Sequence, residues 1–256
     1  MGVINVTPDS FFSGSRKNEL TAFMKAAEKM LEEGADFLDI GGYSTRPGST
    51  DISTEEESTR IVEPIAQLAK EFPEAKISID TFRSEVAKKA CDVGACIVND
   101  ISAGHLDEQM LHTVSKLKVP YIAMHMRGTP QTMMDFTDYE NLLLDVSKYF
   151  SNVLRKASVL GIDDVVLDPG FGFSKTLEQN YELLSGLEYL KHLDLPILVG
   201  LSRKSMIYKL LNISPNEALN GTTTLNTLAL FKGASILRVH DIREAVEVVK
   251  LVSQLS

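Results

Sequence analysis

The feature that most constrains this chain is a recurring junction at which a helical pattern stops and a short β-rich run begins. Four times the stop is glycine: Gly34 before Phe37-Leu38-Asp39, Gly94 before Cys96-Ile97-Val98-Asn99, Gly161 before Val165-Val166-Leu167-Asp168, and Gly233 before Ile236-Leu237-Arg238. Glycine closes a helix C-terminus because it takes the left-handed conformation without a Cβ penalty. Three times the stop is proline: Pro73 before Lys76-Ile77-Ser78-Ile79-Asp80, Pro120 before Tyr121-Ile122-Ala123-Met124-His125, and Pro196 before Ile197-Leu198-Val199-Gly200. Proline cannot continue a helix interior. With an opening strand around Val3-Ile4, these seven crossings give eight strands, each followed by a helix. The strands are short and continuously apolar, as a parallel sheet buried on both faces requires. Thr54-x-x-Glu57 reads as a capping box, and Ser214-Pro215-Asn216-Glu217 as a helix start with proline in first position. Eight units in 256 residues predict an α/β chain folded as a single-domain (β/α)8 TIM barrel over residues 1–256. An open doubly wound sheet is the alternative, but no G-x-G-x-x-G follows the first strand.

Composition narrows the function classes. With 44% hydrophobic and 24% charged residues, collagen-like and disordered chains are excluded. The net charge of −9 (26 basic against 35 acidic) argues against general nucleic-acid binding, which needs a basic footprint. No apolar run approaches the roughly 18 residues of a membrane span, and the first residues lack a signal-peptide pattern. Cys91 and Cys96 form no framework and no Cys-x-x-Cys, so a reducing cytoplasm is the expected compartment. The five histidines, at 105, 112, 125, 192 and 240, show no His-x-x-x-His spacing, which argues against a metalloenzyme.

In a barrel of this type the reacting groups stand at the C-terminal strand ends and in the loops that follow. Those positions hold Asn5, Asp39, Asp80, Asn99-Asp100, His125, Asp168, Ser202-Arg203-Lys204, and Arg238 with His240. Asp and Asn also favour turns and helix caps, which accounts for Asp39 and Asp100 about as well as function does. Capping does not account for Lys204, Arg238 or His240. His125, between two methionines, reads equally as packing. Asp80, Asn99 and Asp168 converge on the mouth, and a carboxylate with an amide suits the N–H/NH₂ edge of a flat heterocycle. Arg46, Lys204, Arg238 and His240 make a locally basic region where barrels often bind phosphate. Together they suggest a phosphorylated heterocycle. Two long loops, Thr7 to Ser15 and Tyr43 to Thr50, have the composition of loops that fold over a substrate.

These residues resemble the dihydropteroate synthase family along essentially the whole chain. The resemblance is carried by Asn5-Val6-Thr7-Pro8-Asp9-Ser10-Phe11, Gly41-Gly42-Tyr43-Ser44-Thr45-Arg46-Pro47-Gly48, Ile79-Asp80-Thr81-Phe82, Asn99-Asp100-Ile101, Met124-His125-Met126, Asp168-Pro169-Gly170-Phe171-Gly172-Phe173, Ser202-Arg203-Lys204 and Arg238-Val239-His240-Asp241. It implies condensation of 6-hydroxymethyl-7,8-dihydropterin diphosphate with p-aminobenzoate, with loss of pyrophosphate to a pterin carbocation. It implies Mg²⁺ near Asn5, and Arg46, Arg238 and His240 on the departing pyrophosphate. Asn99 and Asp168 would hold the pterin edge, with Lys204 on the ring-oxygen side, Asp80 near the cation, and Met124 and Ile101 in the same pocket. Phe11, Pro47 and Phe173 would sandwich the p-aminobenzoate ring, with Thr45 nearby and Ser205 on its carboxylate. A homodimer through the last two helices and sensitivity to sulfonamides are further implications. The first loop departs from the family pattern at Phe12-Ser13, where an Asp is usual after the Phe and Ser.

Three rivals share parts of this pattern. A barrel presenting methyltetrahydrofolate to a corrinoid protein would need the pterin edge but not the basic residues. A Schiff-base aldolase would use Lys204 covalently. A non-catalytic pterin-binding subunit would show the same motifs and no turnover.

Overall fold

The structure is a computed structural model and describes residues 1–6, 16–44 and 51–255. The described residues contain eight strands whose order in sequence is their order in space. β1 (Gly2–Asn5), β2 (Phe37–Gly41), β3 (Lys76–Asp80), β4 (Ile97–Asp100), β5 (Tyr121–Met124) and β6 (Val165–Asp168) each pair in parallel with the next. β7 (Leu198–Val199) and β8 (Ile236–Leu237) pair with one another. Two single bridges close the ring, Leu167 with Ile197 and Gly2 with Val239. At the second, Val239 N–H donates to the Met1 carbonyl at 2.9 Å and Val3 N–H to the Val239 carbonyl at 3.0 Å. The first strand thus meets the chain just past the last one, which an open sheet would not allow, and the closed barrel expected from the junctions is the fold.

The outer ring comprises α1 (Arg16–Glu32), α2 (Thr54–Glu71), α3 (Ser84–Asp92), α4 (Met110–Leu117), α5 (Leu142–Val159), α6 (Leu177–Ser185), α7 (Ser205–Leu211), α8 (Leu219–Phe231) and α9 (Ile242–Val252). α7 and α8 both fall between β7 and β8, so that unit carries two helices where the sequence pattern suggested one. The glycine stops behave as expected, with positive φ at Gly34, Gly94, Gly161 and Gly233. At two proline junctions a different residue takes the left-handed position two places earlier: Lys118 before Pro120 and Asp194 before Pro196. α2 shows the usual logic of the helices, burying Ile61, Pro64, Ile65 and Leu68 along one stripe against the sheet.

One of the two expected helix starts is corrected by the structure. Ser53, not Thr54, caps α2, accepting the Glu56 N–H at 3.1 Å. Glu57 is fully buried and turns to the end of β3, where Thr81 Oγ1 and Arg83 Nη1 donate to it at 2.7 and 2.8 Å. The other is as expected: Ser214 caps a helical start with Pro215 in first position and donates to Glu217, and the start is a 3-10 turn, Pro215–Glu217, ahead of α8. A reciprocal box does open α6, between Thr176 and Gln179. Glu57→Ala is expected to cost about 3 kcal/mol, the scale for breaking one partner out of a buried ion pair. A urea denaturation series checks it, and a change below about 1 kcal/mol, the scale of an exposed pair, contradicts the buried role.

Side-chain alternation explains how the barrel serves its mouth. Phe37, Ile97, Ile122, Val166, Leu198 and Ile236 pack with Met1 in one cluster at the base of the strands. Two residues further along, the same strand faces carry Asp39, Asn99, Met124, Asp168, Gly200 and Arg238. An apolar plug at one end therefore fixes a ring of polar groups at the other.

Candidate active site

Arg238 is the hub of that ring. Its Nε donates to Asp39 Oδ2 and its Nη2 to Asp80 Oδ2, each at 2.6 Å. Asp39 Oδ2 also accepts one Asn99 Nδ2–H at 3.0 Å, which leaves the Asn99 side-chain oxygen, and its second N–H, for a ligand. Burial pushes the Asp80 carboxyl up to about 7, against the pull of Arg238 and reinforced by the Asp39 charge. Asn5 ends β1 beside this group. It is registered with Gly41, and a side chain at Gly41 would lie 3.6 Å from Asp80 Oδ2 and 3.7 Å from Asn5 Oδ1. The missing side chain keeps the two oxygens open to a common space.

Across the mouth, Asp168 is 7% exposed and its Oδ1 accepts the Gly170 N–H at 2.8 Å. Burial raises its pKa, with the Lys204 charge opposing. Lys204 donates to the Phe171 carbonyl, and its Nζ lies 4.9 Å from the centre of the Phe173 ring. Burial lowers its pKa to about 8, while Asp168 holds it up. The floor between these groups is apolar: Ile101 and Met124 pack with Met126 and Met133, and Phe173 and Phe82 lean on them. Ser205 opens α7 next to Lys204. His240 is exposed at the rim, with Nδ1 and Ser202 Oγ 3.0 Å apart.

Asn5, Asp80, Asn99 and Arg238 thus stand together, as do Ile101, Met124, Asp168, Phe173 and Lys204, with Ser205 and His240 at the edge. Phe11, Thr45, Arg46 and Pro47 lie outside the described residues. Arg203, read from sequence as part of the basic end of β7, belongs elsewhere. Its guanidinium makes a two-pronged pair with Asp241, at 3.0 and 2.6 Å, because its left-handed backbone (φ +56°) turns it away from Lys204. Asp39, weighed as a turn former, is instead the acceptor joining Arg238 to Asn99. Its position two residues after Phe37 in a strand was the available signal. Ser202 is among the strand-end residues but without a role of its own there, and Lys175 carries no spacing signal.

The oxygen donors suit a hard cation brought in by a phosphorylated substrate. The described residues include no cluster of three His, Cys, Asp or Glu able to hold an ion. Mg²⁺ commonly takes only one or two protein oxygens and completes its shell with phosphate and water, which Asn5 Oδ1 can serve. No helix among the described residues is long and apolar enough to cross a membrane.

A closed (β/α)8 barrel with an acid-amide pair and a cationic pair facing one apolar floor defines a barrel enzyme for a flat, anionic heterocycle. The chain belongs to the pterin binding enzymes, whose family model matches residues 1–240. The dihydropteroate synthase of Escherichia coli strain K12 is 42% identical over 255 residues, covering 98% of this chain and 89% of that protein. The structure of the Yersinia pestis dihydropteroate synthase in a sulfonamide drug complex aligns over 100% of this chain and 92% of its own, with a TM-score of 0.92 and 39% identity. The Xanthomonas albilineans dihydropteroate synthase with 4-aminobenzoic acid aligns over the same shares, with a TM-score of 0.92 and 37% identity. Within its family, the chain is a transferase of the dihydropteroate synthase group.

Proposed function

We propose that this chain condenses 6-hydroxymethyl-7,8-dihydropterin diphosphate with p-aminobenzoate, giving 7,8-dihydropteroate and pyrophosphate. The observation that carries this reading is the pairing, over one apolar floor, of Asp168 and Asn99 with Lys204 and Arg238. The first pair suits the N–H/NH₂ edge of a pterin, while Lys204 suits its ring oxygen and Arg238 an anion leaving from the far side.

The bond from the pterin methylene carbon to the diphosphate oxygen breaks with its electron pair going to pyrophosphate. The aniline lone pair then forms the C–N bond, and the nitrogen releases its proton to solvent water. Asp168 and Asn99 hold the pterin edge, and Lys204 faces its ring oxygen. Asp80 puts negative charge beside the developing cation. Arg238 and His240 receive the departing charge, with Ser202 orienting the His240 ring. Ile101 and Met124 exclude water beneath the pterin. Asn5 would hold a Mg²⁺ ion jointly with the diphosphate, and the ion would supply stabilisation of the leaving group's charge. The aniline is neutral and needs positioning more than deprotonation, which Phe173 and Ser205 provide at its ring and carboxylate. Phe11, Thr45, Arg46 and Pro47 are assigned to this binding on family resemblance alone.

We read residues 1–256 as one pterin-binding domain acting in the cytoplasm on small molecules. We infer a homodimer through the exposed apolar side chains of α8 and α9, among them Leu228, Phe231, Val249 and Leu251. Pyrophosphate release from the dihydropterin diphosphate with Mg²⁺, assayed with and without p-aminobenzoate, tests the reaction. Dihydropteroate is expected when the aniline is present, and a sulfonamide is expected to compete with the aniline and not with the pterin. Pterin binding without any release would favour the methyl-carrier or non-catalytic readings.

A further inference from the structure

Lys175 is a buried cation that the proposed reaction does not use. It is 2% exposed, and its Nζ reaches three acceptors, each at 3.0 Å: His125 Nδ1, the Gly170 carbonyl and the Phe173 carbonyl. As an ammonium, Lys175 has three donors and no acceptor, so all three are used here and His125 Nδ1 is the acceptor. Burial lowers the Lys175 pKa to about 7, and the Asp168 charge holds it up. Burial, and then the Lys175 charge, keep that imidazole neutral.

The loop after β6 is shaped for this cation. Its backbone is left-handed at Gly170, Gly172 and Ser174, with φ of 73°, 79° and 49°. Alternating left-handed residues turn the Gly170 and Phe173 carbonyls towards one point, and Lys175 fills it. At Gly170 the chain passes so close to β5 that any side chain would collide with the His125 carbonyl oxygen. His125 is itself fixed, edge-on to Tyr149 with ring centres 4.7 Å apart. Lys204 holds the carbonyl of Phe171, between the two that Lys175 holds.

We propose that Lys175 is a positioning residue for the pterin site, tying the loop to His125 and so fixing Asp168 and Phe173 relative to one another. The link to Asp168 is direct, because Gly170 gives its N–H to Asp168 and its carbonyl to Lys175. The link to Phe173 is its own carbonyl. Without the ammonium, two carbonyls and an imidazole nitrogen are left facing one another with no donor. The loop then relaxes, and two ligand-binding groups move apart. This inference rests on the pterin-site assignment above.

The test is titration calorimetry with 6-hydroxymethylpterin on Lys175→Met, Lys175→Ala and Asp168→Asn, alongside pterin-diphosphate kinetics. Lys175→Met keeps the length and removes the donors, and is expected to weaken pterin binding about tenfold or more, the scale for losing a charged hydrogen bond. Lys175→Ala is expected to recover binding with n-propylammonium, which replaces the deleted atoms, and not with 1-propanol. A merely structural lysine would lower stability but leave affinity unchanged in the folded protein. Wild-type affinity in Lys175→Met, with Asp168→Asn impaired, overturns the proposal alone. Wild-type affinity in both overturns the pterin-site assignment beneath it. If Lys175→Met does not fold, Lys175→Ala decides, and no recovery with the ammonium overturns the proposal.

Discussion

Arg238→Ala is expected to weaken binding of the dihydropterin diphosphate far more than binding of the unphosphorylated pterin, and to destabilise the protein at the same time. The two effects have different origins. Stability suffers because the guanidinium is the shared partner of Asp39, which is wholly buried, and of Asp80. Removing it leaves one buried carboxylate without its counterion and the other beside it, at a cost of about 3–5 kcal/mol. Selective loss of the diphosphate substrate follows from charge. A guanidinium near a departing pyrophosphate contributes about 1.5–3 kcal/mol per charged hydrogen bond, or on the order of 10–100-fold in affinity. The unphosphorylated pterin makes no such contact. Titration calorimetry with both ligands, on protein whose folded fraction is fixed by circular dichroism, separates the effects. Equal loss for both ligands would mean that Arg238 serves only to neutralise Asp39 and Asp80.

The double grip on Arg238 also bears on kinetics. In the free protein its charge is already satisfied, so an arriving diphosphate must compete with Asp80, 2.6 Å away. Asp80 is the partner more easily released, because burial already pushes its carboxyl towards neutrality. Asp39 is the firmer one, since it holds Nε of Arg238 and the amide of Asn99 with a single oxygen. Asp39 Oδ1 has no hydrogen-bond partner among the described residues, and neither has Ser78 Oγ on the registered residue of β3. Two orphaned polar atoms beneath the ring fit an ordered water there.

Much of this was legible from sequence because barrel topology converts linear order into spatial order. Once glycine and proline stops mark the strands, every strand end is known to face one mouth, and Asp80, Asn99, Asp168 and Arg238 are adjacent without any long-range inference. What stayed hidden was decided by side-chain direction. Glu57 has the right spacing for a cap, yet a half-buried arginine and a buried threonine draw it inward while Ser53 caps instead. Arg203 and Lys204 are neighbours in sequence and point to different partners because Arg203 is left-handed. Lys175 carries no signal in the sequence, and only the convergence of two carbonyls and an imidazole explains its burial. Asp39 could have been found: it shares a strand face with Phe37, and a carboxylate inside a barrel requires a cation, which Arg238 supplies.

Asp168→Asn is expected to reduce pterin affinity on the order of 100-fold or more while the barrel stays folded, since a charge-assisted two-point contact becomes a mismatched neutral one. The substitution keeps the shape of the side chain and an oxygen able to accept the Gly170 N–H, so the loop retains its local anchor. What it removes is the acceptor pair that a pterin's N–H and NH₂ would meet. An amide offers one oxygen and one NH₂, and the NH₂ would face another donor. It also removes the charge that holds both Lys204 and Lys175 protonated against burial, so both lysines are expected to deprotonate at a lower pH. Asp168→Ala is expected to abolish binding outright, because the Gly170 N–H loses its acceptor as well. Calorimetry with 6-hydroxymethylpterin gives the affinity, and thermal melting confirms that the variant is folded. Unchanged affinity in a folded Asp168→Asn protein would contradict the assignment of the pterin edge to β6. It would direct attention to Asp80, the mouth carboxylate paired with Arg238.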